Sequence, residues 1–183
     1  MADQGSEGLL SPFLRWYRIR AALPHIGGRV LDVGCGSGTL AHYVSPECYL
    51  GVDLDECSLS KARQEFPQHS FSSILPDKQQ KFDVVAALAV LEHVPAPEEF
   101  LKMLSFYLKN SSSIVLITTP HPLGDWIHGA GSSLGLFSSH ANEEHQELLD
   151  RRRLEILADF TGLRLAHYRR FLVGMNQLVL FKI

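Results

Sequence analysis

Three glycines alternate along Gly34-Cys35-Gly36-Ser37-Gly38, directly after an apolar run, Val30 to Val33, that carries one acid, Asp32. Glycine permits a tight turn and removes every Cβ from its path, so a ligand can press against the backbone close to the start of the following helix. A second acid, Asp53, ends the next apolar run, Tyr49 to Val52, about twenty residues after the first glycine, where a carboxylate can accept both hydroxyls of a ribose. Asp53 could instead cap the helix that follows, but Asp55 is better placed for that role. Strand, glycine turn, helix and strand-end acid in this order point to a ligand that contains a nucleoside.

A third group of residues could carry proton chemistry. Phe82-Asp83-Val84-Val85 leads into Ala87-Leu88-Ala89-Val90-Leu91-Glu92-His93-Val94-Pro95, which puts Glu92 and His93 just past the end of an apolar strand. His121, His128, His140 and His145 crowd a glycine- and serine-rich stretch further on. Histidine is the side chain best poised to take a proton near neutral pH, so these are the candidate bases. For each of them a surface histidine on a polar loop is the plainer alternative.

The glycine segment resembles the first motif of class I S-adenosylmethionine-dependent methyltransferases, and its GxGxG spacing differs from the GxGxxG of dinucleotide binding. The Leu91-Glu92-His93-Val94-Pro95 segment resembles that of small-molecule methyltransferases of the ubiquinone-biosynthesis type. The likeness runs from about Val30 to Pro120, and more loosely to the end. It implies S-adenosylmethionine as cofactor, cradled by Gly34, Cys35, Gly36 and Gly38, with Asp32 near its amino-acid end and Asp53 on the ribose. Leu54 would pack beside the adenine, Ser73 would approach it from the Ser70 to Leu75 region, and Ala87 and Leu88 would face the cofactor from a strand end. His145 occupies a position similar to a lid histidine of related O-methyltransferases, and His93 is the second candidate base. Some relatives hold a divalent ion with an ExxEH segment; the first acid of that pattern is Ala89 here, so no metal is expected.

The elements that must position these groups follow from periodicity. Ser11-Pro12 opens a helix to about Leu23, with Leu10, Phe13, Leu14, Tyr17 and Ala21 at helical spacing. A short helix is expected over Thr39 to Val44, a second from Asp55 to Pro67, a third from Pro97 to Leu108 and a last from Asp150 to Phe160, ended by Gly162. Phe82 to Ala89 and Ile114 to Ile117 read as buried strands, and Leu163 to Phe171 and Gln177 to Phe181 as an antiparallel closing pair turning at Gly174. The fold class expected is α/β, a Rossmann-like seven-stranded and mainly parallel sheet with helices on both faces and an antiparallel final strand. One domain fills 1–183, with an N-terminal helix over 1–24 and an irregular lid or substrate loop over 120–146.

Composition narrows the function further. A formal net charge of -3 gives no reason to expect nucleic acid as a partner; Arg151-Arg152-Arg153 and Arg169-Arg170 are the local exceptions, read as solvated faces or substrate-side contacts. Three cysteines with no CxxC fit neither a disulfide scaffold nor a zinc site and point to a reducing cytoplasm. No apolar run approaches the ~20 residues of a membrane span, although peripheral membrane contact through the first helix is conceivable. The function expected is methyl transfer, most simply O-methylation of a lipid, quinone or sugar-type small molecule. The alternatives are a nicotinamide-dependent Rossmann oxidoreductase and a non-catalytic S-adenosylmethionine-binding module.

Overall fold

The computed structural model of the chain describes residues 11–122 and 149–183. Seven strands form one sheet: β1 (Val30–Val33), β2 (Tyr49–Val52), β3 (Ser70–Ser72), β4 (Val84–Leu88), β5 (Ile114–Pro120), β6 (Arg164–Phe171) and β7 (Asn176–Lys182). Their spatial order is β3-β2-β1-β4-β5-β7-β6. Only β7 runs against the rest, inserted between β5 and β6. The order reverses between β1 and β4, which are direct neighbours, and a crevice opens at such a switch point beyond the carboxyl ends of the strands.

Side chains alternate across the sheet, so each strand supplies two cores. Val85, Ala87, Val115, Ile117, Val179 and Phe181 pack toward helices α3 (Pro97–Ser105) and α4 (Arg151–Thr161), which contribute Leu101, Leu104, Leu154 and Leu157. Val84, Ala86, Leu116, Leu178 and Leu180 face the other way, onto Ile19, Ala21 and Ala22 of α1 (Ser11–Ala22) and onto Leu40 and Ala41. The N-terminal helix is therefore a cap over the sheet. Among the described residues no helix is long and apolar enough to cross a membrane.

Helix ends follow local chemistry. Asp55 accepts from the amides of Cys57 and Ser58 and starts α2 (Glu56–Glu65), and Asp150 accepts from the amide of Arg153 at the start of α4. Gly162 ends α4 with φ 72, a conformation glycine adopts without strain. The expected helix over Thr39 to Val44 is instead a 3-10 segment, Thr39–Tyr43, whose bonds run from Ala41 N to Gly38 O and from Val44 N to Ala41 O. Pro46 follows too closely for an α-turn to develop. The third helix stops at Ser105 rather than Leu108, because Phe106, Tyr107 and Leu108 tighten into three-residue turns that hand Tyr107 O to the amide of Phe82. The Ser70 to Leu75 region, where an adenine contact is expected, contains β3.

Candidate functional site

Gly34, Gly36 and Gly38 all take left-handed backbone angles, φ 75, 52 and 81. Their roles differ. A Cβ on Gly34 would collide with the Val90 side chain, and one on Gly38 would press on Phe71 and Phe66, whereas one on Gly36 would point into open space. Gly34 and Gly38 thus serve close packing, and Gly36 leaves a bare cradle above the strand ends. The amides of Gly34 and Cys35 both donate to Val52 O, at 2.7 and 3.1 Å, which fastens the loop to β2.

Asp53 stands at the rim of this cradle. Its Oδ2 accepts from Gly36 N at 2.7 Å and its Oδ1 from Asp55 N at 2.9 Å. A carboxylate offers about four lone-pair directions, so one remains on each oxygen for an incoming pair of hydroxyls. Helix capping is left to Asp55, as its position suggested. Beyond Asp53, Leu54 is 91% exposed and Ile74 is 75% exposed, two bare apolar side chains on the loops that follow β2 and β3. A flat apolar group laid between those loops would bury both. Ile74 escaped the sequence analysis, where only the serines beside it drew notice. Ser72 Oγ donates to Ile74 O and accepts from Ile74 N, and this closed turn displays Ile74. Ser73 and Arg63 together hold the Glu56 carboxyl below its ordinary range.

Asp32 is buried in β1 and its Oδ2 accepts from the Tyr49 hydroxyl at 2.7 Å. Burial pushes its carboxyl up to about 7, the Tyr49 hydrogen bond opposing and the Asp53 charge reinforcing the shift. The same burial, together with Asp32, holds the Tyr49 phenol well above its ordinary range, so it remains the donor. Cys35 is likewise pushed up by burial and by Asp32 and Asp53, which favours the neutral thiol.

At the end of β4, Ala87 is wholly buried in the core while Leu88 reaches the surface. Ala89 has φ 59, unusual for a residue with a Cβ, and its amide donates to Thr118 O at 2.8 Å. This bend leaves Leu88 and Ala89 lining a cavity of about 150 Å3 with Arg15, Arg18 and Ile19 of α1. Arg18 Nε donates to Asn176 Oδ1 at 3.0 Å. Glu92, on the 3-10 segment Leu91–His93, lies near Arg18, and burial raises its carboxyl while Arg18 and His93 oppose the rise. Glu92 Oε2 and Thr118 Oγ1 are buried without a hydrogen-bond partner among the described residues. His93 is exposed on the same segment, and His121 follows β5. His145 and the 123–146 part of the expected lid lie outside the described residues.

Comparison with known proteins adds a second line of support. A family model described as a methyltransferase domain matches residues 13–168. The ubiquinone biosynthesis O-methyltransferase of Idiomarina loihiensis is 37% identical over 114 residues, covering 56% of this chain and 47% of that protein. The Coxiella burnetii protein of the same name is 29% identical over 102 residues, 50% of this chain and 44% of the relative. The chain thus spans about half the length of the curated relatives it matches. Among solved structures, magnesium protoporphyrin IX methyltransferase from Synechocystis PCC 6803 with bound SAH superposes with TM-score 0.70 at 16% identity, over 98% of this chain and 90% of that one. An S-adenosylmethionine-dependent methyltransferase from Mesorhizobium loti gives TM-score 0.67 at 18% identity, over 93% and 98%.

Proposed function

Because the chain belongs to the class I S-adenosylmethionine-dependent methyltransferases, we propose that it transfers the cofactor's methyl group to an oxygen of a small quinone-, lipid- or sugar-type acceptor. Family membership sets aside the nicotinamide oxidoreductase that the sequence left open. The observation that carries the reading is the Asp53 carboxylate, held by Gly36 N with lone pairs to spare beside the open space that Gly36 leaves.

When bound, S-adenosylmethionine supplies an electrophilic methyl carbon. The chain's own residues do the rest by position. Gly36 would give the backbone clearance, Asp53 would accept hydrogen bonds from the ribose hydroxyls, Leu54 and Ile74 would flank the base, and Asp32 would lie toward the amino-acid end. Cys35 and Ala87 serve behind these groups as packing, and Leu88 walls the reacting end. In-line displacement gains most from orientation, worth roughly 7–11 kcal/mol when the reacting atoms are aligned. An oxygen nucleophile also sheds a proton, and His145 is the base we assign, with His93 as the second choice. The names of the Idiomarina and Coxiella relatives support oxygen as the acceptor atom.

The reading is tested with methyl-labelled S-adenosylmethionine and a panel of phenolic, lipid and sugar acceptors. Label appears in a methyl ether of one class, and His145→Ala lowers turnover about 100-fold, within the usual worth of a general base, with cofactor affinity unchanged. Label that stays with the cofactor across the panel contradicts the acceptor classes, and an unaltered rate in His145→Ala removes that residue from the reaction.

Asp32 gives a pH prediction. With its carboxyl at about 7 in the free protein, it is mostly neutral at pH 6 and ionised at pH 8. A ligand cation nearby favours the ionised form, so binding releases a proton and affinity rises with pH up to about 7, then levels. S-adenosylmethionine is expected to bind about tenfold more weakly at pH 6 than at pH 8, because each unit below the free pKa costs a factor of ten. Equal affinity at the two pH values, by calorimetry, contradicts the Asp32 assignment.

A further inference from the structure

A second recess opens at the carboxyl end of the sheet, toward the β6 edge. His121 follows β5, Asp150, Arg151 and Arg152 open α4, and Tyr168 and Arg170 belong to β6; together they line a cavity of about 480 Å3. Three guanidinium groups from two separate elements meet there, in a chain whose formal net charge is -3.

One acid, Asp150, lines the recess with them, and the neighbouring Glu155 is paired. Arg151 Nε donates to Glu155 Oε1 at 2.9 Å, and its guanidinium lies 5.4 Å from the Tyr168 ring centroid. Asp150 Oδ1 accepts from Arg153 N at 2.7 Å, and the Arg153 side chain is bound to Glu98 on α3. Arg152 and Arg170 meet no carboxylate among the described residues. Burial and the charge of Arg170 both hold the His121 imidazole below its ordinary range, with Asp150 opposing. Like charges gathered in a concave site repel one another, and an anion that enters relieves that repulsion. Exposed arginines on one convex face would need no such occupant.

We propose that this recess receives an oxyanion of the methyl acceptor, a phosphate or a carboxylate, through the Arg152 and Arg170 side chains. The planar guanidinium fork matches either group in bidentate fashion. This assignment rests on the methyl-transfer reading and narrows it: the acceptor is an acidic molecule. The recess lies beyond the carboxyl ends of β5 and β6, at the same end of the sheet as the Gly36 and Asp53 loops that are assigned to the cofactor.

The test uses nitrogen-15-labelled protein titrated separately with inorganic phosphate and with succinate, the amides of Arg151, Arg152 and Arg170 being followed by NMR. S-adenosylhomocysteine affinity is measured on the same preparation. A saturable shift is expected with at least one anion, weakened tenfold or more in the double variant Arg152→Gln, Arg170→Gln, whose S-adenosylhomocysteine affinity stays within twofold of the parent. Tighter phosphate binding assigns a phosphorylated acceptor, and tighter succinate binding a carboxylic one. No saturable shift, or one that the double variant retains, overturns the subsite, and intact S-adenosylhomocysteine binding then leaves methyl transfer standing. A parent protein that takes the anion but not S-adenosylhomocysteine overturns the acceptor assignment together with the methyl-transfer reading.

Discussion

Gly36→Ala is expected to yield a folded protein that binds S-adenosylmethionine 10- to 100-fold more weakly, the cost of forcing one methyl group into a fitted contact. The new Cβ meets nothing in the free protein, so the only folding cost is the φ of 52, about 1 kcal/mol for a residue with a Cβ. Gly34→Ala should behave in the opposite way. Its Cβ would drive into Val90 at φ 75, and stability should fall by roughly 2–4 kcal/mol. Urea unfolding and calorimetric titration of the two variants check the contrast. If Gly36→Ala binds the cofactor as the parent does, the cradle is not where the ligand lies.

Asp53→Ala should reduce cofactor affinity about 100-fold or more, because two hydrogen bonds to a charged acceptor are lost at about 1.5–3 kcal/mol each. The substitution also frees the amides of Gly36 and Asp55, both near solvent, so the melting temperature should fall slightly. Asp53→Asn keeps the shape and one acceptor oxygen and should fall between. Affinity unchanged in Asp53→Ala would remove this residue from the ribose.

Much of this architecture could be read from residue order. The buried runs at Val30, Tyr49, Phe82 and Ile114 became neighbouring parallel strands, and Asp55 and Gly162 marked helix ends because their chemistry is local. The place of Asp53 was equally legible, since it directly follows a strand. The Asp32–Tyr49 bond was not. Register β1 to β2 pairs Val30 with Tyr49, which puts Tyr49 diagonally across from Asp32 on one face, and that register is a property of the assembled sheet. Arg18 is a similar case: on its helix it resembles any solvated arginine, and only the packing of α1 over β5 and β7 brings it to Asn176 and Glu92. The 3-10 form of Thr39–Tyr43 reflects competition between helical residues and the nearby Pro46, which propensity alone weighs poorly.

Calorimetric titration of the folded chain with S-adenosylmethionine and with S-adenosylhomocysteine tests the central claim most directly. One-to-one binding of both is expected, weakened together in Asp53→Ala, with no heat from NADH. Folded protein that takes up neither compound, or that binds NADH in their place, would contradict it.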